Sequence, residues 1–218
     1  MSKTKRKLKL IVEPKPVAPI RLDLGCGPSK REGFIGVDRI KFPTADMVFD
    51  LAKKMIVERS EDLESGAKYV RLPTGYGKWP WKDDSVDEIH CSHTIEHFDA
   101  VERVHVFNEL FRVMKVGAKA TLIAPHWASC RAYGDPTHKF PAVSEFAFYY
   151  LLKQWRMANA PHTDIEHWPL GFKCDFDVTW GYSMHPEVQP RNQEYQQNAL
   201  KFWKEAAQDV IWTMIKRG

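Results

Sequence analysis

Short apolar runs, separated by polar segments that often contain glycine or proline, recur along the first half of the chain. Runs of this length and composition predict β-strands. We predict five of them, at residues 20–25, 34–38, 46–51, 86–91 and 119–124. Strands that alternate with helices indicate an α/β sheet in which most strands are parallel.

The clearest helical pattern lies in the stretch DAVERVHVFNELFRVMKVG. Its apolar residues recur at spacings of three and four and form one stripe, at Val101, Val104, Phe107, Leu110 and Met114. Asp99 and Glu102 fit a capping box at its start, and Gly117 stands where a left-handed C-terminal residue is favoured. Because this helix separates the strands at 86–91 and 119–124, those strands should be parallel.

The second half of the chain is less regular. We predict a helix over 144–158, a strand over DFDVTWGYS, a helix near 193–208 and a closing strand over VIWTMIK. The polar residues 52–77 predict an inserted helix and loop. The expected fold is α/β: a Rossmann-like, doubly wound, mostly parallel sheet of about seven strands, with an antiparallel C-terminal edge strand.

Composition places the chain among ordinary globular proteins, with 44% hydrophobic and 28% charged residues in 218. No apolar run approaches the roughly 20 residues that cross a bilayer, so we expect no membrane span. The N-terminus lacks the apolar stretch of a secretory signal. Four cysteines without CxxC or zinc-finger spacing fit reduced thiols, and we expect a cytoplasmic protein.

Positive charge is concentrated at the N-terminus, before any acid, at Lys3, Lys5, Arg6, Lys7 and Lys9. Without these residues the formal net charge of +4 falls to about −1, so the body is not a basic nucleic-acid-binding domain. We expect residues 1–18 to form a flexible tail, which either solubilises the protein or contacts nucleic-acid phosphates weakly. Residues 19–218 would then form a single domain.

The stretch RLDLGCGPSKREGFIGVD carries the first candidate chemistry. Glycines after a strand let the backbone approach a ligand closely, and an aspartate ending the next strand can accept both hydroxyls of a ribose. The third glycine of a GxGxxG motif is absent, and Gly27 and Asp38 are 11 residues apart against about 20 in a dinucleotide fold. The eight residues between the two predicted strands are too few for a crossover helix. A tight turn with a surface acid is the alternative.

The order of several motifs along residues 20–126 resembles that of class I S-adenosylmethionine (SAM)-dependent methyltransferases. These motifs are DLGCGP, GVD, FDL, WPWKDDSVDEIHCSHTIEHF and ELFRVMKVGAKATLIAPH. The chain is most similar to the group with SHxxEH after the fourth strand and LxRVLKPGG before the fifth, although Val116 and Ala118 replace the usual proline and glycine. YGDPTHKF also resembles a segment of that group, in which the first helix is shortened.

The resemblance implies SAM as the cofactor and a set of residues that hold it. Asp23, Gly25, Cys26 and Gly27 would surround its methionine moiety, and Asp38 would bind the ribose. Asp50 and Leu51 would contact the adenine. Ser92 and His93, just past the fourth strand, would lie beside the sulfonium.

Methyl transfer needs a base only if the nucleophile starts protonated. The candidates are His93, His97, His126, Asp135 and His138. Two metal sites are alternatives: a zinc hydrolase built on the HxxEH at 93–97, and a cluster of His126, Asp135 and His138. We expect no metal, because His93 directly follows a strand and the segment GDPTH fits a substrate loop equally well.

The motifs that this chain lacks narrow the range of possible methyl acceptors. Amino-methylating DNA enzymes carry Asn/Asp-Pro-Pro-aromatic after the fourth strand, where this chain has CSHT, and cytosine-C5 enzymes carry Pro-Cys, where it has Pro125–His126. We expect a small-molecule or nucleotide acceptor, bound in a substrate region at 126–192. Four aromatic residues flank the expected pocket mouth, Trp79, Trp81, Trp127 and Tyr133. A SAM-binding module without turnover is the remaining alternative.

Overall fold

The computed structural model describes residues 18–61, 68–161 and 171–218, so the expected tail lies outside them up to residue 17. In chain order its strands are β1 (Arg21–Leu24), β2 (Ile35–Asp38), β3 (Met47–Val48), β4 (Lys54–Glu61), β5 (Lys68–Tyr76), β6 (Val86–Ser92), β7 (Met114–Pro125), β8 (Phe176–Met184) and β9 (Ala207–Lys216). Its α-helices are α1 (Ala100–Val113), α2 (Arg131–Gly134), α3 (Lys153–Asn159) and α4 (Gln193–Phe202). Two 3-10 helices span Ile95–His97 and Glu145–Leu151. No helix within these residues is both long enough and apolar enough to cross a membrane.

Seven strands form one mixed sheet in the order β3-β2-β1-β6-β7-β9-β8. The five strands from β3 to β7 pair in parallel, whereas β9 is antiparallel to both of its neighbours. This confirms the expected α/β, mostly parallel sheet. The two C-terminal strands exchange places relative to chain order, so that β8 forms the edge and β9 lies inside it.

After β1 the chain passes to β2, which lies on one side of β1. It later returns to form β6 on the other side of β1. Residues 25–34 between β1 and β2 contain turns and no helix, as their small number predicts. The carboxyl ends of β1, β2 and β6 therefore meet where the strand order reverses. Open α/β sheets bind their ligands at such a point.

Helix α1 begins where the sequence predicts. The Asp99 side chain accepts the backbone N–H of Glu102, and the Glu102 side chain accepts that of Asp99, which completes the capping box. The helix ends at Val113, earlier than predicted, and its C-cap residue Met114 is already extended. Its apolar stripe packs against the central strands, with Phe107 and Leu110 in the same core as Leu22.

Gly117 was predicted to end this helix, and that prediction is wrong. Met114 pairs with Val86 as the first residue of β7, and the register shifts before Glu88 pairs with Lys119. Gly117 does have a left-handed φ of 79°, but it lies in the irregular stretch of the strand that this shift creates. A glycine in such a stretch supports a bulge rather than a helix cap.

Residues 52–77 do not form the predicted helix and loop. Strands β4 and β5 make a separate antiparallel sheet, and the residues between them lie outside the described part of the chain. The ring of Tyr76, at the end of β5, stacks on His105 of α1 with centroids 4.9 Å apart. Burial raises the pKa of Tyr76 to about 12. The end of β5 therefore contacts α1 through this pair of rings.

Three other predictions need smaller corrections. The helix over 144–158 is divided into the 3-10 helix Glu145–Leu151 and the short α3. The helix near 193–208 ends at Phe202, because the residues from Ala207 onward pair with β7 and β8. The strand predicted over 46–51 has only two residues, Met47 and Val48.

Candidate active site

One cavity of about 300 Å³ opens at the carboxyl ends of β1, β2 and β6. It is lined by Gly25, Gly27, Asp38, Arg39, Ile40, Phe42, Phe49, Asp50, Leu51, Ala52, His93, Thr94, His97, Phe98, Glu102 and Lys139. Its volume lies at the lower end of the range for small-molecule sites. Six of the residues expected to bind the cofactor therefore share one cavity: Gly25, Gly27, Asp38, Asp50, Leu51 and His93.

The first wall of the cavity is the loop after β1. Gly25 has a φ of 68°, and a Cβ placed on it would lie 2.0 Å from the Oγ1 of Thr94. The Gly25 N–H donates to the carbonyl of Val37 in β2 at 2.8 Å. Only a glycine allows this backbone to pass under Thr94 and turn into the cavity.

Two carboxylates face the cavity from the ends of neighbouring strands. Asp38 accepts the backbone N–H of Gly27 at 2.9 Å and that of Ile40 at 2.8 Å. Asp50 accepts the N–H of Ala52 at 3.0 Å. An ionised carboxylate has about four acceptor positions, so each retains capacity for a ligand hydroxyl or amine.

Three residues expected at the cofactor do not line the cavity. Asp23 is only 4% exposed, and its carboxylate accepts the backbone N–H of Arg31 at 2.7 Å, which holds the loop after β1. The Cys26 thiol is buried, and burial together with Asp38 raises its pKa. The backbone carbonyl of Ser92 accepts the Thr94 hydroxyl at 3.1 Å. These residues shape the cavity from behind its surface.

His93 enters the cavity directly after β6, and its φ of 52° turns the chain sharply there. Its Nδ1 lies 3.5 Å from Glu96 Oε1, and its Nε2 lies 4.0 Å from Asp209 Oδ1. Glu96 raises the pKa of His93 most, and Asp209 adds to this against the effect of burial. Asp209 in turn pairs with Arg131 at 3.1 Å.

His97, Asp135 and His138 form a second group beside the cavity. The Thr137 hydroxyl lies 3.1 Å from His97 Nδ1 and 2.7 Å from Asp135 Oδ1. The rings of His97 and His138 meet edge to face with centroids 4.9 Å apart, and His138 Nε2 is 3.8 Å from Asp135 Oδ2. Of these, His97 lines the cavity.

His126 lies apart from the other candidate bases. It is 2% exposed, its Nε2 is 3.1 Å from Glu145 Oε2, and its Nδ1 accepts the N–H of Ala128 at 3.3 Å. Burial alone would raise the pKa of Glu145, but the hydrogen bond with His126 contributes to a net lowering. His126 is paired with Glu145 and does not join Asp135 and His138.

The inverted zinc-protease interpretation fails on geometry. It requires HxxEH on one helix, whereas His93 has a left-handed φ and the 3-10 helix covers only Ile95–His97.

The expected aromatic rim is also largely wrong. Trp79 is 2% exposed, and its indole N–H donates to the carbonyl of Leu51 at 2.9 Å. Trp81 packs against the core. Trp127 and Tyr133 are exposed but line a different cavity.

Sequence reasoning missed Lys139 and Glu102 as residues of the cavity. The Lys139 ammonium lies 2.7 Å from Glu102 Oε2, and the Lys139 backbone N–H donates to the carbonyl of Glu96 at 2.8 Å. The capping box correctly signalled a fixed position for Glu102. No local pattern placed Lys139 near the cavity, because that depends on how the chain after β7 folds back.

Residues 22–122 match the model of a methyltransferase-domain family. The match ends inside β7 and includes Gly25, Gly27, Asp38 and Asp50 of the cavity. This match assigns these residues to a methyltransferase domain.

The chain is similar to several solved structures. A SAM-dependent methyltransferase from Archaeoglobus fulgidus is 20% identical, with 91% of this chain and 86% of that chain covered and a TM-score of 0.56. Phosphoethanolamine N-methyltransferase 2 of Haemonchus contortus is 14% identical, with 94% and 50% covered and a TM-score of 0.43. Geranyl diphosphate C-methyltransferase of Streptomyces coelicolor A3(2) is 13% identical, with 91% and 69% covered and a TM-score of 0.46. The similarity to the Archaeoglobus fulgidus protein shows a shared fold. No curated protein matches the chain.

Proposed function

We propose that this chain transfers a methyl group from SAM to a small-molecule or nucleotide acceptor. The observation that carries the proposal is the shared cavity of Gly25, Asp38 and Asp50. A glycine turn, a carboxylate ending β2 and a second carboxylate after β3 fit a ligand with a flexible polar chain, a ribose and an adenine.

The roles follow from where each residue stands around the cavity. Gly25 and Gly27 leave room for the methionine moiety beside their backbone. Asp38 would accept both ribose hydroxyls, while two backbone N–H groups keep its carboxylate oriented. Asp50 would accept the adenine amine, with Phe49 and Leu51 as apolar neighbours. Asp23, Cys26 and Ser92 support these residues without lining the cavity.

SAM, when bound, supplies a methyl group on a positively charged sulfur that departs as a neutral thioether. The protein must hold the acceptor atom in line with that methyl and exclude water, and positioning of this kind contributes up to about 7–11 kcal/mol. His93 stands at the end of β6, between Glu96 and Asp209. It is our first candidate to accept a proton from an acceptor hydroxyl or amine, and His97 is the second.

We place the acceptor between these histidines and the region 126–192. Lys139 supports this placement, because its segment crosses from that region to the cavity. His126 would then position the chain after β7 through Glu145, without contact with the reacting atoms.

Calorimetry with S-adenosylhomocysteine tests the cofactor part of the proposal. We expect Asp38→Asn to raise the dissociation constant by at least about tenfold, since hydrogen bonds to a charged group contribute about 1.5–3 kcal/mol. Asp177→Asn, which changes an exposed acid on β8, should bind as the unchanged protein does. No binding by the unchanged protein, or equal binding by both variants, overturns the proposal.

A product-mass screen tests turnover. Extracts divided into metabolite and nucleic-acid fractions are incubated with methyl-labelled SAM and with either the unchanged protein or Asp38→Asn. A labelled product that depends on Asp38 supports the enzyme and identifies the acceptor class. Tight cofactor binding with no product in either fraction favours a binding module.

A further inference from the structure

Glu96, His97 and His138 bring one potential ligand atom each to within 4.8 Å of one another. The first two lie on the 3-10 helix after β6, and His138 follows α2. The cluster therefore joins two segments that are more than 40 residues apart in the sequence. A carboxylate and two imidazoles are a common ligand set for divalent transition metals.

Glu96 provides independent support for a cation in this place. The residue is 4% exposed, and neither of its carboxylate oxygens has a hydrogen-bond partner among the described residues. His93 Nδ1, at 3.5 Å from Oε1, is beyond the usual range of a strong hydrogen bond. A buried carboxylate is costly unless it is paired or coordinates a metal.

The hydrogen bonds of the two histidines leave a lone pair on each. His138 Nδ1 lies 3.2 Å from the carbonyl oxygen of Ala132, so this nitrogen donates and Nε2 is the acceptor. The Thr137 hydroxyl donates its one hydrogen to Asp135, so His97 Nδ1 must donate to Thr137 and its Nε2 is also free. A second ring nitrogen that donates to a carbonyl or hydroxyl is the usual support of a metal-bound histidine.

We propose that Glu96, His97 and His138 bind one divalent transition-metal ion, represented experimentally by Zn²⁺. Bonds of about 2.0–2.1 Å place tetrahedral ligand atoms about 3.3 Å apart, so small side-chain rotations must bring the ligand atoms together by at most about 1.5 Å. In this arrangement Glu96 is a ligand and His93 is not. The site therefore differs from an HxxEH hydrolase site, in which the glutamate activates water.

His97 also lines the cofactor cavity, so a fourth position of the ion can face the acceptor. An oxygen ligand such as a hydroxyl or carboxylate would suit that position. This last step rests on the proposed function, whereas the metal site itself does not.

The test uses the full-length protein after chelator treatment and dialysis. Zn²⁺ binding is measured by competition with a chromogenic chelator, and Co²⁺ binding by its visible absorption bands. We expect one ion per chain, with Co²⁺ bands typical of four or five nitrogen and oxygen ligands. The proposal is overturned if no Zn²⁺ binds. It is also overturned if several ions bind each chain with equal affinity and Co²⁺ shows no distinct absorption bands.

Variants identify the ligands. Glu96→Gln, His97→Asn and His138→Asn should each weaken Zn²⁺ binding at least about 100-fold. Thr137→Val removes the hydroxyl that contacts both His97 and Asp135, and it should weaken Zn²⁺ binding about 10-fold. His185→Gln changes a histidine outside the cluster and should bind Zn²⁺ unchanged. Equal affinities across the set contradict the assignment. If a ligand variant fails to fold, the Co²⁺ spectrum of the unchanged protein and of Thr137→Val still decides the question.

The test of the metal site can be separated from the test of the proposed function. S-adenosylhomocysteine binding is measured on metal-free protein, and Zn²⁺ binding is measured without the nucleoside. Loss of one without the other identifies which of the two proposals has failed.

Discussion

The hydroxyl of Thr94 fills the space that a side chain on Gly25 would need, with only 2.0 Å between Oγ1 and a Cβ at that position. The two residues belong to loops that follow β1 and β6. This close approach lies at the cavity where the ends of those strands meet.

We predict that Gly25→Ala weakens S-adenosylhomocysteine binding at least about tenfold and lowers stability. The left-handed φ alone costs about 1–2 kcal/mol for a residue with a Cβ, and the overlap with Thr94 adds to this. Calorimetry and urea unfolding measure the two effects. Gly33→Ala is the matched control, because Gly33 has a φ of 77° with nothing within 4 Å of its Cβ position. It should lose stability but bind normally, and equal affinities for both variants would contradict the prediction.

Local patterns were sufficient for much of the sheet and for one wall of the cavity lined by Gly25 and Asp38. Alternating apolar residues and short polar links located β1, β2 and β6, and glycines and aspartates at strand ends located one wall. The capping box located the start of α1. These features depend on residues close in sequence, which is why they could be read without a structure.

Features that depend on distant pairing could not be read in the same way. The end of α1 is decided by the pairing of Met114 with Val86, and the hairpin by the pairing of β4 with β5. The sequence predicts Trp79 at the pocket mouth, yet its backbone N–H donates to Glu109 at 2.6 Å and the residue is buried. Glu96 and His97 lie beside His138, which is about 40 residues away in the sequence, and the HxxEH spacing does not predict this grouping.

The ion pair of Glu109 and Arg112 should contribute strongly to stability. Arg112 donates to both carboxylate oxygens of Glu109, at 2.8 and 2.5 Å, and only 10% of the Glu109 side chain is exposed. We predict that Arg112→Met costs roughly 3 kcal/mol, because it leaves a buried carboxylate without its partner. Arg217→Met, at an exposed pair with Asp175, should cost no more than about 1 kcal/mol. Urea unfolding at neutral pH measures the unfolding free energy of both variants. Similar losses in the two would show that the buried pair contributes no more to stability than the exposed pair.

The same carboxylate predicts a pH dependence of stability. Burial acts to raise the pKa of Glu109, but Arg112 and the Trp79 N–H outweigh it, so the pKa lies below its ordinary value of 4.5. The unfolded chain therefore binds more protons than the folded one just below pH 4.5, and stability falls as pH falls through the folded pKa. Glu109→Gln should remove this contribution and flatten the curve of unfolding free energy below the ordinary glutamate pKa of 4.5. If the curve for Glu109→Gln runs parallel to that of the unchanged protein, Glu109 is not the source of this pH dependence.

The capping box of α1 gives a further stability prediction. Asp99→Ala removes the acceptor of the Glu102 N–H, which lies 2.9 Å away, and should cost about 1 kcal/mol. Asp99→Ser retains an acceptor and should recover most of that loss. Thermal and urea unfolding measure the series, and an equal loss for serine and alanine would argue against a capping role.

Cys130 should be the most accessible thiol of the protein yet a slow nucleophile. Cys26, Cys91 and Cys174 are buried, whereas Cys130 is exposed and none of the four forms a disulfide. Contact with Glu205 raises the pKa of Cys130 above its ordinary value of 9.0, so little of the reactive thiolate is present near neutrality. We predict that iodoacetamide labels one cysteine per folded chain, with a rate midpoint above pH 9.0. Glu205→Gln should move that midpoint downward and speed labelling at pH 8, because the neutral amide no longer disfavours the thiolate. Peptide mass spectrometry identifies the labelled residue, and an unchanged profile in Glu205→Gln would show that the carboxylate does not control this thiol.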